Sequence, residues 1–172
     1  MNKKTRNLTL CALLSSLSVI SLYVASVWPT GQIGLTAVAA LFVTGAIIES
    51  GLLFGVYTYI ISSFLAVLIV PNRLTAFLFI LFFGYYPILK SLIEQLKHKV
   101  LQVIIKLLVF NVSLIIIWLL FNEIFLAALN IEIHILLILL LGNIVFLLYD
   151  YGFSKIIWLY INRISKDRKS VV

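Results

Sequence analysis

Few residues of this sequence have the types and the spacing that catalysis or metal binding requires. A hydrolytic metal site needs imidazoles that converge on one ion, as in HExxH. His98 instead lies in a basic connector and His134 near the opposite end of the apolar blocks. The only aspartates are Asp150 and Asp167, and the second belongs to the tail, so an aspartyl pair at matched depth is not expected. Three serines in the first apolar block have no base at their depth: Ser15, Ser16 and Ser18. The sequence therefore predicts no enzyme, no metal site and no cofactor.

One stretch near the middle of the chain, FFGYYPILKSLIE, combines aromatic residues, a proline and a pair of opposite charges. Lys90 and Glu94 are four residues apart and can pair on one helical face. Tyr85 and Tyr86 suit the headgroup region, and Pro87 either kinks a helix or begins a new one. We predict an interfacial elbow that ends in a short helix along the cytoplasmic surface. The alternative is that these four polar residues form a docking surface for a partner.

Other polar residues interrupt the apolar blocks and need an explanation of their own. Glu49, Lys106 and Asp150 are all placed towards the inner side of the membrane. They form either a charge cluster with the basic connector that fixes helix ends or an element that couples to the motion of a partner. Asn111 and Asn143 are predicted to hydrogen-bond between helices.

The outer side carries a set of polar and aromatic residues that could bind a ligand. Arg73 is the only cation expected there, and its guanidinium could bind a carboxylate or phosphate in bidentate fashion. It could equally pair with Glu123 or Glu132. The predicted ligand-binding residues are Trp28, Gln32, Asn72, Arg73, Trp118, Asn122 and His134.

Small residues at helical spacing indicate close approach between helices. Ala12 and Ser16 are four residues apart in the first block, and Gly51 and Gly55 repeat this spacing at the start of the third. Each pair could pack inside the chain or against a partner, and both interpretations stay open. Cys11 is the only cysteine, so no intramolecular disulfide is possible, and we expect it on a packed helix.

The elements that must position these residues are transmembrane helices. Of the 172 residues, 63% are hydrophobic and 11% charged, far from the composition of soluble domains. The hydrocarbon core is about 30 Å thick and one crossing uses roughly 20 apolar residues. Long continuous blocks rule out a transmembrane barrel. We predict an all-α, single-domain bundle with an uncleaved first helix and a basic tail at 159–172; the six helices are 8–27, 35–48, 52–70, 74–89, 100–121 and 133–158.

The distribution of basic residues predicts the orientation. With six crossings, all of the 13 lysines and arginines except Arg73 fall on the side that carries both termini. By the positive-inside rule, this side is cytoplasmic, and the protein is a multi-pass protein of the cell membrane. The bases then face anionic lipid, so we expect no nucleic-acid partner.

The size, the six crossings, the inside termini and the opening TRNLTLCALLSSLSV resemble the substrate-binding S components of energy-coupling factor transporters, which import vitamins across bacterial cell membranes. The resemblance implies that Ala12 and Ser16 contact a transmembrane coupling subunit, although the family usually has alanine at the second position. It also implies that Trp28 to Gln32 form a loop over an outer pocket for a small vitamin-like ligand. The docking set would be Ala12, Ser16, Tyr85, Tyr86, Lys90 and Glu94.

The six-helix plan is also similar to MreD-type rod-shape proteins, which are non-transporting scaffolds of cell-wall elongation. A scaffold needs no polar outer pocket, and an orphan subunit of an unrelated membrane complex is a third possibility. The sequence has no GxxxxGK[ST] loop, so any ATP hydrolysis is expected from separate ATPase partners.

Overall fold

The computed structural model describes residues 2–129 and 135–165, with the backbone alone described for Pro29, 121–129, 135–138, 164 and 165. The described residues are all-α, which confirms the predicted fold class. They contain six helical segments that are long and apolar enough to cross a membrane: Lys3–Val27, Gln32–Ser50, Leu52–Ile69, Arg73–Ile93, Lys99–Leu120 and Leu139–Arg163. The protein is thus a multi-pass membrane protein, and its orientation stays a prediction.

The chain divides into two compact units, an N-terminal unit (Met1–Lys106) and a C-terminal unit (Leu107–Val172). The helices in chain order are α1 (Lys3–Val27), α2 (Gln32–Ser50), α3 (Leu52–Ile69), α4 (Arg73–Leu78), α5 (Tyr86–Ile93), α6 (Lys99–Leu129) and α7 (Ile135–Tyr160).

Prolines and glycines end the first three helices. Trp28 and Val70 each precede a proline and have extended backbone angles, because the α conformation is disfavoured before proline. Gly51 joins α2 to α3 with a φ of 98°, in the region that favours glycine. At the start of α4, the side chain of Asn72 accepts a hydrogen bond of 3.0 Å from the Leu74 N–H.

The fourth span is not a continuous α-helix. After α4, residues Phe79–Phe83 form a π-helical segment, and Gly84 and Tyr85 form a turn. A new helix, α5, then begins at Tyr86, with Pro87 in its first turn, where the missing N–H costs no helical bond. Of the two predicted effects of Pro87, the structure therefore confirms the start of a new helix.

Serine side chains join α1 to α2 in the N-terminal unit. The Ser18 hydroxyl donates to the carbonyl oxygen of Ala39 over 3.2 Å, and the Ser21 hydroxyl donates to that of Leu35 over 3.1 Å. Such bonds require the two backbones to approach closely, which small residues allow. These bonds hold the second half of α1 against α2.

A second face of α1 packs on α3. The Sγ atom of Cys11 lies 3.2 Å from the Thr58 hydroxyl, and the Ser62 hydroxyl donates to the Ser15 carbonyl over 3.4 Å. All four residues are buried. This confirms that Cys11 is a small residue on a packed helix.

Helices α2 and α3 touch at Gly55, which confirms one half of the predicted glycine motif. A Cβ atom on Gly55 would lie 2.2 Å from Cγ1 of Ile47, so no larger residue fits without movement. Gly51 instead has nothing within 4 Å of its would-be Cβ, and its role is the turn conformation.

In the C-terminal unit, α6 and α7 meet through aromatic and amide pairs. The rings of Phe110 and Phe146 stack with centroids 4.6 Å apart. Asn111 donates to the side-chain oxygen of Asn143 over 2.9 Å, and Asn143 donates to that of Asn111 over 3.1 Å. The predicted interhelical role of the two asparagines is confirmed.

Replacing Asn143 by leucine should lower the stability of the purified protein by about 1 kcal/mol, the usual size of such a bond between membrane helices. The loss arises because the Asn111 amide no longer has its side-chain partner. Thermal unfolding in mild detergent measures the effect. The double variant N111L/N143L should recover most of the loss. The control is Val145→Leu, a substitution by the same residue at an exposed position of α7. An N143L protein as stable as the V145L control would contradict the role.

Candidate functional site

Three charged side chains of the N-terminal unit meet where α5 leads into α6, and we call them the inner ion cluster after the predicted orientation of the chain: Lys90, Glu94 and Lys106. One carboxylate oxygen of Glu94, Oε1, lies 2.7 Å from Lys90 Nζ and 2.8 Å from Lys106 Nζ. Lys90 stands one helical turn before Glu94, and Lys106 lies in the second turn of α6. The cluster therefore ties the end of α5 to α6.

The connector between these helices is held by a second side chain of α6. The Gln102 amide donates to the carbonyl oxygen of Leu96 over 2.8 Å and to that of Glu94 over 3.3 Å. Carbonyls at the end of a helix have no partner within the helix and need one elsewhere. Gln102 thus supports the backbone of Glu94, and Lys106 holds its side chain.

The inner ion cluster is more deeply buried than the sequence suggested. The Lys90 side chain is 2% exposed and that of Lys106 is 7% exposed, whereas Glu94 is 43% exposed. Tyr86 is fully buried as well. The predicted pairing of Lys90 with Glu94 is present, but α5 turns its Tyr86–Lys90 face into the unit, so these two side chains do not lie on the surface as expected. The Lys90 ammonium tolerates this position since the Glu94 carboxylate pairs with it.

The acidity of Glu94 reflects its two lysine partners. Burial raises the pKa of its carboxyl, but hydrogen bonds from Lys106 and Lys90, with the attraction of their charges, lower it by more. The pKa of Glu94 therefore lies below its ordinary value. The carboxylate stays ionised at neutral pH and serves both ammonium groups.

Among the residues predicted to bind a ligand, three of the N-terminal unit make local bonds. The Gln32 amide donates to the Thr75 hydroxyl over 2.8 Å and joins the start of α2 to α4. Asn72 caps α4, as described above. The Arg73 guanidinium donates to the carbonyl oxygen of Val67 in α3. The structure thus brings Gln32, Asn72 and Arg73 to one end of the unit, where each stabilises a helix end.

Trp28 lies apart from these bonds, beside an apolar groove of about 320 Å³ at the end of α1. The groove is lined by Tyr23, Val24, Val27 and Trp28. The Trp28 side chain is mostly exposed. Its position agrees with an indole at the membrane interface.

The remaining predicted ligand residues belong to the C-terminal part of the chain. Trp118 lies on α6 and is partly exposed. Asn122 has its backbone in α6, but its side chain is outside the described residues, and His134 is outside them altogether.

Ala12 and Ser16 lie on an exposed face of α1, on the side that does not pack against α2 and α3. Thr5, Thr9, Ala12 and Ser16 follow one another at helical spacing, and all four are exposed. The Thr9 hydroxyl donates to the Thr5 carbonyl over 3.0 Å, and the Ser16 hydroxyl donates to that of Ala12 over 2.9 Å. With the Thr9 and Ser16 hydroxyls bonded inside α1, the Thr9–Ser16 part of this face presents little that is polar. Of the other predicted docking residues, Tyr85 is partly exposed and Glu94 is exposed, whereas Tyr86 and Lys90 are buried.

Sequence reasoning predicts that Lys106 joins a charge cluster with the basic connector, but its pairing with Glu94 depends on how the connector folds. Sequence reasoning missed Gln102. Gln102 carried no signal, because its role as a donor to two carbonyls arises only when α6 folds back on the end of α5.

No family model, no curated protein and no solved structure matches the chain. The resemblance drawn from the sequence therefore stays a prediction.

Proposed function

We propose that this chain is the membrane-embedded substrate-binding subunit of an importer of the energy-coupling factor type. In this role it captures a small, vitamin-like solute on the outer side and works with a separate coupling subunit and its ATPases. The proposal combines the six-helix plan with the small-residue face of α1.

The single observation that carries the proposal is the exposure of Ala12 and Ser16. Helix α1 has a second set of small residues, including Ser15 and Ser18, and these are buried against α2 and α3. The chain thus satisfies its own packing without the Ala12–Ser16 face. A flat face of small residues lets another helix approach closely, and dispersion contacts then accumulate along it.

The inner ion cluster supports the same arrangement from the side of the connector. It fixes the end of α5 against α6 and so holds the exposed residues of the connector in place. Tyr85 and Glu94 are the two members of the predicted elbow that a partner could still reach.

The test is assembly with the energy-coupling module of the same organism. The amount of the double variant Ala12→Leu and Ser16→Leu that co-purifies with a tagged coupling subunit should fall at least about tenfold. The reason is that two leucines would separate the helices at the point of closest approach. The matched control is Gly34→Leu, which adds the same side chain at an exposed position of α2 with open space around it. Unchanged assembly of A12L/S16L would count against the docking role.

The second candidate is a non-transporting scaffold of the MreD type, and one observation favours it. Gln32, Asn72 and Arg73 are engaged in bonds to helix ends, and the groove beside Trp28 is apolar. An importer needs polar groups that converge on its ligand. Mass spectrometry of small molecules released from protein purified in mild detergent separates the two. A reproducible bound solute supports import, and repeated preparations without one support the scaffold.

A further inference from the structure

The fourth span contains a local change of hydrogen-bond pattern at Phe79–Phe83. In an α-helix, the Gly84 N–H would donate to the carbonyl oxygen of Ile80. Here it donates to that of Phe79 over 2.7 Å, one residue further back. π-helical turns of this kind are rare in proteins. Those that occur are frequently found at functional sites.

A neighbouring helix supplies the bond that this change removes from Ile80. The Tyr59 hydroxyl, on α3, donates to the Ile80 carbonyl oxygen over 3.0 Å. A backbone carbonyl without a partner would be costly in the membrane interior. The hydroxyl of Tyr59 therefore stabilises the interrupted form of the span.

Gly84 allows Tyr59 to reach this position. A Cβ atom on Gly84 would lie 2.7 Å from Cδ2 and 2.8 Å from Cε2 of the Tyr59 ring, and 2.9 Å from Cε1 of Phe79. Phe79 is fully buried and cannot move away, whereas Tyr59 is half-buried, so a methyl group at Gly84 would displace Tyr59 from Ile80.

The two halves of the span are attached to different helices. The outer half is joined to α2 by the bond between Gln32 and Thr75, and the inner half is joined to α6 by the inner ion cluster. Between them, Pro87 also lacks the N–H that an α-helix would direct to the carbonyl of Phe83. The segment between the anchors thus lacks regular α-helical bonds at Gly84 and at Pro87.

We propose that Phe79–Tyr85 is a hinge within the fourth span and that the Tyr59 hydroxyl holds it in the form seen here. Loss of the bond from Tyr59 to Ile80 would free the outer and inner halves to change their relative angle. This inference stands independently of the proposed function, because it depends only on bonds inside the N-terminal unit.

The first experiment measures local opening by hydrogen exchange and mass spectrometry on the full chain in lipid nanodiscs. In the Tyr59→Phe variant, the amides of residues 79–89 should exchange roughly fivefold faster than in the unchanged protein. This is the factor expected for the loss of one neutral hydrogen bond. The matched control is Tyr57→Phe, which removes the same hydroxyl from a residue that is 45% exposed on the same helix.

A double-variant comparison tests whether Gly84 acts through Tyr59. Gly84→Ala alone should accelerate exchange in the same residues. Combining it with Tyr59→Phe should add little, since both changes remove the same bond. Combining Gly84→Ala with Tyr57→Phe should leave the Gly84→Ala effect as it is. Fully additive effects of Y59F and G84A would contradict the proposed mechanism.

The second experiment measures bending directly, by electron–electron distance spectroscopy between nitroxide labels at Phe77→Cys and Leu92→Cys in a Cys11→Ser background. Both labelled positions are exposed and lie on opposite sides of the hinge. Tyr59→Phe should broaden the distance distribution or add a second distance, and Tyr57→Phe should not. The hinge is overturned if Y59F leaves both the distances and the exchange unchanged, or if exchange rises equally in α1 and α2.

Discussion

Replacing Glu94 by glutamine should destabilise the protein by about 3 kcal/mol, the lower end of the range for breaking a buried ion pair. The lower end applies because Glu94 itself is 43% exposed, and solvent screens part of its interaction. The change removes the carboxylate that two buried ammonium groups share. Thermal unfolding of the protein in mild detergent, followed by fluorescence-detected size exclusion, measures the loss.

Two further variants separate this effect from a general sensitivity of the connector. Lys97→Met removes an exposed charge from the same connector and should leave the unfolding temperature nearly unchanged. Adding Lys90→Met and Lys106→Met to Glu94→Gln removes all three charges and should recover much of the loss, because apolar groups replace buried ions without a similar penalty. An E94Q protein that unfolds at the same temperature as K97M would show that the inner ion cluster contributes nothing measurable.

The same carboxylate gives the stability a pH dependence of known sign. The pKa of Glu94 in the folded protein lies below its ordinary value, so this group contributes stability that is fully present above the unfolded pKa of about 4.3. The contribution is lost as the pH falls through the lower folded pKa. The difference in unfolding temperature between the unchanged protein and E94Q should therefore be constant near neutral pH and shrink below about pH 4.

Replacing Gly55 by alanine should cost about 2 kcal/mol through overpacking between α2 and α3. The added Cβ would lie 2.2 Å from Cγ1 and 3.5 Å from Cβ of Ile47, so the clash involves the base of a branched side chain and a rotation about its last bond does not relieve it. The unfolding temperature in detergent measures the effect.

Matched variants test the cause. Ile47→Ala combined with Gly55→Ala should be more stable than Gly55→Ala alone, because the clashing atoms are removed. Gly34→Ala, on α2 with nothing within 4 Å of its Cβ position, should be neutral or slightly stabilising, since alanine favours the helix. If G34A and G55A had equal effects, close packing at Gly55 would not be the reason.

The helices could be predicted because their signals lie within each segment. Apolar blocks of sufficient length, ended by Pro29, Gly51 and Pro71, predict the first three spans within a few residues of their observed bounds. The pairing of Asn111 with Asn143 was also predicted, since polar amides in apolar blocks need a partner at similar depth.

The features that could not be predicted depend on contacts between distant residues. A pair such as Lys90 and Glu94 has the same spacing whether it faces solvent or the interior, and its burial depends on how α5 packs. The π-helical segment likewise has no local signal, because it depends on the fit of Gly84 against Tyr59 of another helix. The roles proposed for the site residues stay predictions.

The positions of the interhelical bonds along the chain also bear on its biogenesis. The bonds that α1 makes with α2 and α3 all connect residues numbered below 70, whereas the inner ion cluster needs Lys106. Since the ribosome delivers the N-terminal helices first, a three-helix core can form in the bilayer while the rest of the chain is still being translated. The end of the fourth span gains its electrostatic anchor only when the fifth begins to insert.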